Sequence, residues 1–332
     1  MKEALSYDDV LLAPTFSEIE SRSQVDLTSY LDKDLRFETP IIASPMDTVS
    51  GAEMGIKLSQ LGGVAVIHRY NTIEEQCKIV KTVKESGGRV GAAIGTTGDF
   101  LQRLNALIFV GVDFICIDVA HGHHKLVHDA IKIIRAKYPF MHIMAGNVAT
   151  AEGFAALQEW GADSIRVGVG GGSICSTRIQ TGHGVPNLTA IMDCAAVAHR
   201  ATLIADGGIK NAGDIVKALA AGADFVMLGS LLAGTDEAPG DIVAGMKAYR
   251  GMASREAQEE WRGKSSAPEG IATTVTYKGP VEPIFNDLVG NIKSGLSYSG
   301  ATTISGLFNK AQFIRQTSAG QLESSTHILG RR

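Results

Sequence analysis

Ser164-Ile165-Arg166-Val167-Gly168-Val169-Gly170-Gly171-Gly172-Ser173-Ile174-Cys175-Ser176-Thr177-Arg178 joins a short apolar run to a glycine-rich loop. A β-rich run of this length, stopped by glycine, reads as a buried strand. The glycines that follow let the chain turn sharply and present amides and carbonyls that side chains would otherwise cover. Cys175 then stands in a polar loop beside Arg178, where a nearby cation favours the thiolate and makes the thiol a candidate nucleophile. The competing reading of the loop alone is a flexible turn with an incidental cysteine.

Working outward from this stretch, the same unit recurs. Short apolar runs at 40–44, 63–67, 90–94, 114–117, 142–145, 164–167, 202–205 and 225–228 each end in Gly, Asp, Asn, Ser or His. Between them, helical periodicity occupies 52–60, 73–84, 100–109, 125–137, 151–159, 188–199 and 211–220. Thr72 ahead of Glu75, and Thr150 ahead of Ala151, supply helix caps. Near-continuous hydrophobic strands alternating with helices imply a parallel sheet covered by helices. Eight such units in 332 residues imply a closed (β/α)₈ barrel of the TIM type, with a doubly wound sheet as the competing arrangement. The whole chain, 1–332, reads as a single catalytic domain. Residues 231–280 interrupt the pattern after the eighth strand and read as a lid or flap before a closing helix at about 284–293. The tail, 316–332, carries little apolar content and is expected to order against another subunit.

Composition narrows the function classes. Charged residues make up 20% of the chain and the net charge is −4, so the basic field that phosphate-backbone binding requires is missing and nucleic acid is not an expected partner. Cys77, Cys116, Cys175 and Cys194 lie far apart with no CxxC pair, a pattern of a reducing, cytoplasmic setting. The first nine residues lack a signal-peptide core, and no apolar run reaches membrane-spanning length, so no membrane association is expected.

In a barrel of this kind the C-terminal ends of the strands form the active site. That rule gathers Ser44-Pro45-Met46-Asp47, His68-Arg69, Asp118, Asn147, the Cys175 loop, Asp206-Gly207-Gly208 and Gly229-Ser230 on one rim. Loops after strands seven and eight commonly bind phosphate through backbone amides, which implies a phosphorylated substrate. Asp206-Gly207-Gly208 also reads as a plain strand-ending turn, and Asp118 as a helix cap. The histidines at 121, 123, 124 and 128 invite a zinc reading, but no inward carboxylate or fixed geometry accompanies them, and surface or second-layer roles are expected instead. Trp261 and Tyr249 read as packing within the lid.

The combination of Tyr7-Asp8-Asp9-Val10-Leu11-Leu12, residues 44–49, Asp118-Val119-Ala120-His121-Gly122, Ala145-Gly146-Asn147-Val148, residues 168–178, Asp206-Gly207-Gly208 and Tyr298-Ser299-Gly300-Ala301 resembles the IMP dehydrogenase/GMP reductase family, over about residues 5–327. The resemblance implies a homotetramer of (β/α)₈ barrels acting on a purine nucleoside monophosphate. It makes Cys175 the nucleophile at purine C2, forming a covalent thioimidate intermediate, while a nicotinamide cofactor exchanges hydride at that carbon. Ser173, Asp206, Gly207, Gly208, Gly229 and Ser230 carry over as nucleotide contacts. Gly251, Met252 and Gly270 join them from the flap, with Glu269. Asp118, Val119, Ala120, Val169 and Gly170 carry over to the nicotinamide side, and Ser21, Arg22, Arg69 and Ser294 to the outer cofactor contacts, some crossing from a neighbour. Carbonyls of Gly170, Gly172 and Cys175 carry over as a potassium site, to which Glu323, Ser324 and Ser325 of an adjacent chain add ligands in some members.

The family divides between two reactions. Dehydrogenases carry an Arg-Tyr pair in the flap and usually a pair of regulatory domains. Here the flap holds Trp261-Arg262, and the segment 85–100, where those domains would enter, is short. The flap's opening, Met252-Ala253-Ser254-Arg255-Glu256-Ala257, resembles the reductases, and Thr177 with Glu269 matches their proton-transfer dyad. Ser44-Pro45-Met46 and Ser294-Gly295-Leu296-Ser297-Tyr298 are nearer the dehydrogenases, and Gly171 stands where proline is frequent. The favoured reading is a GMP reductase using NADPH. An IMP dehydrogenase using NAD and lacking regulatory domains is the alternative, and a non-catalytic purine nucleotide sensor is a third.

Overall fold

The computed structural model describes residues 1–324 and Thr326. Eight strands, β1 (Ile41–Ala43), β2 (Val64–Ile67), β3 (Val90–Ile94), β4 (Phe114–Asp118), β5 (His142–Val148), β6 (Ser164–Val167), β7 (Thr202–Asp206) and β8 (Phe225–Leu228), pair in parallel in chain order. β8 returns to β1, so the sheet closes and the doubly wound alternative is excluded. Helices α1 (Ala52–Gln60), α2 (Ile73–Glu85), α3 (Phe100–Phe109), α4 (Lys125–Lys137), α5 (Ala151–Trp160), α6 (Thr177–Thr181), α7 (Asn187–Ala195) and α8 (Ala212–Ala220) alternate with the strands. Among the described residues no helix is long and apolar enough to cross a membrane.

The side-chain period of two in a strand splits the core. Ile42, Val66, Phe114, Met144, Ile204 and Phe225 belong to one buried cluster inside the barrel, while their neighbours Ile41, Ile115 and Ile143 join a larger cluster shared with the helices. A hairpin of Ser29–Tyr30 and Arg36–Phe37 closes the bottom of the barrel by placing Leu31, Leu35 and Phe37 in the inner cluster.

A three-residue device recurs where helices hand over to strands: Gly111-Val112-Asp113, Gly161-Ala162-Asp163 and Gly222-Ala223-Asp224. Each glycine takes a left-handed φ (84°, 108° and 108°) that ends the preceding helical segment. Each middle residue is buried. Each aspartate amide donates to, and its carboxylate accepts from, the backbone of one residue on the preceding strand: Val90 (carboxylate to amide 2.7 Å), Ile143 (2.8 Å) and Leu203 (2.8 Å). The next strand is thereby held in register by its own entry turn.

After β8 the insertion forms a hairpin, β9 (Met246–Arg250) against β10 (Ala272–Thr276), with helix α9 (Arg255–Arg262) between them. Buried Lys247 anchors the preceding loop by donating to the carbonyls of Thr235 (2.9 Å) and Ala238. Trp261 docks α9 edge-on to Tyr70, at 6.2 Å between centroids, with the Arg103 guanidinium 5.9 Å from the Trp261 ring.

Three sequence expectations are corrected. The helix expected over 188–199 ends at Ala195, because the buried Gln158 Oε1 accepts the amides of His199, Arg200 and Ala201 in place of helical carbonyls. The closing helix, α10 (Val281–Tyr298), is longer than expected and starts after Pro280. Directly after the cysteine loop stands the short helix α6, which was not expected. Just ahead of the tail, Phe313–Arg315 pairs antiparallel with Val10–Leu12, and at its first residue Gln316 donates from its amide to the Asp9 carbonyl (2.9 Å) and from its side chain to the Asp8 carbonyl (2.7 Å). Ser325 and residues 327–332 lie outside the described residues.

At the bottom of the barrel His142 bridges Ser164 Oγ (2.8 Å) and the Asp32 carboxylate of the plug hairpin. Burial pushes the Asp32 carboxyl up, but the hydrogen bond and charge of His142 and the Asp34 and Leu35 amides outweigh it and hold the group at about 2. A depressed folded pKa contributes stability above the unfolded value near 3.8, and that contribution is lost as pH falls towards 2. Asp32→Asn is therefore expected to flatten the slope of unfolding free energy between about pH 4 and pH 2 and to cost roughly 1 kcal/mol at neutral pH, an amount reduced by the solvent contact of this side chain. Urea titrations across that pH range read both.

Candidate active site

Cys175 lies half-buried on the wall shared by two cavities at the C-terminal rim. The first, of about 430 Å³, is bounded by the turn after β7, the loop after β8, the cysteine loop and the flap. The second, of about 390 Å³, is bounded by Arg69, Asp118, Ala120, Gly170, Arg262 and the same flap residues. Met252, Ala253 and Glu269 border both. One thiol thus faces two chambers, the geometry needed when two ligands exchange a group at one atom.

The thiol is the first member of a hydrogen-bond chain. Cys175 Sγ donates to Thr177 Oγ1 at 3.2 Å, and Thr177 Oγ1 donates to Glu269 Oε2 at 2.8 Å. The flap strand is pinned against this loop by backbone bonds, with Ser176 N donating to the Glu269 carbonyl (2.8 Å) and Ile271 N to the Ile174 carbonyl (3.0 Å). Arg178, expected to activate the thiol, instead donates to the carbonyls of Val185 (2.7 Å) and Val169 (3.5 Å) and so ties the ends of the loop together. The thiol's partner is Thr177, not a cation.

Below the thiol, β6 contributes Arg166, 6% exposed. Its Nη1 donates to Asp118 Oδ1 (2.5 Å) at the end of β4, and its Nε (3.1 Å) and Nη2 (2.8 Å) both reach Asp206 Oδ2 at the end of β7. Burial works against the guanidinium charge, yet Asp206 and Asp118 outweigh it and hold the group protonated. Asn147 Nδ2 adds a bond to Asp206 Oδ2 (2.8 Å) and one to the Gly168 carbonyl (2.9 Å). Arg166 was not among the expected site residues; an arginine inside an otherwise apolar parallel strand was the signal.

The first cavity ends in a ring of hydroxyls around Gly229. A Cβ at that glycine would lie 3.0 Å from Tyr249 Oη and 3.2 Å from Ser44 Oγ. Tyr249 Oη stands 3.3 Å from Ser173 Oγ, and Ser230 lines the same cavity. Ser44 Oγ is buried without a hydrogen-bond partner among the described residues. Tyr249 is thus a wall of this cavity rather than lid packing. Gly207, Gly208, Gly251, Met252 and Gly270 line the same space. Val119 and Val169 line the second cavity, whereas Ser21, Arg22 and Ser294 line neither; Arg22 sits on a turn that packs against α10, the helix carrying Ser294.

Three of the four clustered histidines, His123, His124 and His128, serve the scaffold. His124 caps α4 by accepting from Leu126 N (3.1 Å), and His123 and His128 pack on Trp160. For a cation, the Gly172 carbonyl accepts the Cys175 amide at 3.1 Å and keeps one lone pair.

Comparison with known proteins agrees with this geometry. The model of the IMP dehydrogenase / GMP reductase domain matches residues 4–327. The inosine-5'-monophosphate dehydrogenase of Nitrosopumilus maritimus (strain SCM1) is 33% identical over 98% of this chain and 98% of its own length. The GMP reductase of Leishmania donovani is 32% identical over 100% and 98%. These alignments run over 468 and 483 positions, so the relatives carry inserted segments that this 332-residue chain lacks. A crystal structure of a GMP reductase from Trypanosoma brucei, a cysteine-to-alanine variant in complex with guanosine 5'-monophosphate, superposes with a TM-score of 0.94 at 30% identity over 98% of both chains. With the barrel, the rim and the family match in agreement, this chain belongs to the IMP dehydrogenase/GMP reductase family of oxidoreductases.

Proposed function

We propose that the protein is a GMP reductase, converting GMP to IMP and ammonia with NADPH through a covalent bond between Cys175 Sγ and purine C2. The observation that carries this reading is the Cys175–Thr177–Glu269 hydrogen-bond chain. A reductase must move the thiol proton to a leaving amine, and this chain offers a path from one to the other. A dehydrogenase must instead deprotonate water. The flap arginine, Arg262, stands with its guanidinium 5.8 Å over the Tyr70 ring, in the second cavity.

In the proposed reaction the thiol adds across the C2–N3 bond, and its proton passes through Thr177 and Glu269 to the 2-amino group. That group leaves as ammonia when the C2–N bond breaks. A nicotinamide cofactor in the second cavity would supply the hydride that C2 gains; as the C–S bond breaks its electron pair returns to sulfur, and the thiolate takes up a solvent proton relayed through Glu269 and Thr177. Ser44, Ser173, Ser230 and Tyr249 would hold the phosphate, with the amides of Gly208 and Gly229. Asp206, one oxygen taken by Arg166, would accept from the ribose hydroxyls with the other. Gly251, Met252 and Gly270 would meet the base. On the cofactor side Asp118, Val119, Ala120, Val169 and Gly170 would face the nicotinamide end, and Arg69 the outer part. Ser21, Arg22 and Ser294 stand away from both cavities, which supports their presentation by a neighbouring copy in a homotetramer. Potassium would rest on the carbonyls of Gly170, Gly172 and Cys175.

Purified protein given GMP with NADPH is expected to oxidise the cofactor and release ammonia, with little steady turnover of IMP with NAD; sustained XMP formation would replace this reading with the dehydrogenase. Cys175→Ala is expected to bind GMP yet lose turnover by orders of magnitude, and substantial activity in that variant would remove the covalent route. Glu269→Gln is expected to lower kcat by about 10²–10⁴-fold, against a smaller effect of Arg262→Ala. Arg166→Leu strands two half-buried carboxylates and is expected to cost about 3–5 kcal/mol of stability by denaturant titration, together with weaker GMP binding by calorimetry.

A further inference from the structure

Gly171 is a glycine for want of room, since its φ lies outside the left-handed region. A Cβ built on it would stand 2.3 Å from Asn187 Oδ1 and 2.7 Å from Asn187 Cγ, closer than real atoms approach. Asn187 opens α7 and is 4% exposed. Its Nδ2 donates to the Gly207 carbonyl and, at 3.5 Å, to the Asp206 carbonyl, while Oδ1 is buried without a hydrogen-bond partner among the described residues. The two donor bonds fix which end of the carboxamide faces the turn after β7. The same Cβ position lies 2.6 Å from Nδ2, so the whole carboxamide group is pressed against the loop that carries Cys175, and both residues line the first cavity. The loops approach closely here: a Cβ on Gly207 would lie 3.2 Å from Gly172 N.

We infer that Asn187 is a positioning residue for the nucleophile. Its carboxamide holds the cysteine loop at a set distance from the Asp206–Gly208 turn, and Gly171 and Asn187 form a matched pair in which the absent side chain of one makes room for the other. The inference rests on the reading of Cys175 as the nucleophile. Its physical basis is that a small displacement of a reacting group is costly: about 1 Å is worth roughly a hundredfold in rate.

The test is a double-mutant cycle on Gly171→Ala, Asn187→Ala and the combined variant, read as kcat, as KM for GMP, and as the iodoacetamide alkylation rate at Cys175 followed by mass spectrometry. Gly171→Ala is expected to lower kcat about a hundredfold, more than it raises KM, and to change the alkylation rate. In the combined variant much of that loss is expected to return, because the added methyl group then occupies space vacated by the carboxamide. Asn187→Asp keeps the volume but sets an oxygen against two carbonyls, so it is expected to lower kcat while thermal unfolding shows a folded protein. Wild-type kcat in Gly171→Ala, or losses that simply multiply in the combined variant, would overturn the inference. The alkylation cycle needs no turnover, so it decides the Gly171–Asn187 coupling even if Cys175→Ala shows that the covalent route is wrong.

Discussion

A single buried cation governs how this active site is built. Arg166 projects from the middle of a barrel strand, where a lone guanidinium would carry a heavy desolvation penalty, and it is tolerated because carboxylates from two other strands meet it. Those carboxylates, Asp118 and Asp206, stand at the strand ends that border the two cavities. Neutralising the arginine therefore fixes one oxygen of each carboxylate and leaves the other free of the guanidinium. Asn147 adds a neutral donor to the same Asp206 oxygen, so the β7 end is fixed from two strands.

The scaffold achieves the same economy with backbone groups. The Gly-x-Asp turns at 111–113, 161–163 and 222–224 use a carboxylate to cap the amide of the strand before and an amide to extend its ladder. Two of the three aspartates also take a lysine or arginine partner, Lys84 and Arg135. Asp224 has burial alone acting strongly on it, which raises its carboxyl against the bond from Leu203. Because the strand starts are held this way, the rim at the opposite end is free to carry loops whose residues are chosen for chemistry.

Those loops hold the thiol through a hydroxyl and a carboxylate. Thr177 belongs to the helix that begins just after Cys175, whereas Glu269 arrives from the flap about ninety residues later, by backbone pairing at Ser176 and Ile271. The Cys175–Thr177–Glu269 hydrogen-bond chain thus exists only while the flap is seated. Seating depends on Trp261 against Tyr70 and on Arg250, which joins the flap hairpin to Asp47 at the end of β1.

Much of the barrel was legible in the residues because its signal is local. Apolar runs stopped by Gly or Asp mark buried parallel strands, and helical periodicity between them leaves few topologies for eight units. The positions of Cys175, Asp206 and Gly229 at strand ends followed from that periodicity, and the family followed from their motifs. Residues whose role lies in a contact across the fold were not legible. Arg178 is close to Cys175 in the chain yet turns to Val185, because helix α6 carries its side chain away from the thiol. The pairing of Arg166 with Asp118 and Asp206, and of Asn187 with Gly171, joins residues far apart in the chain and depends on closure of the barrel. Sequence determined the elements, their order and the chemistry available at their ends; tertiary structure alone decided which of those groups meet, since side-chain partners are chosen by distances that only the closed sheet and the seated flap set.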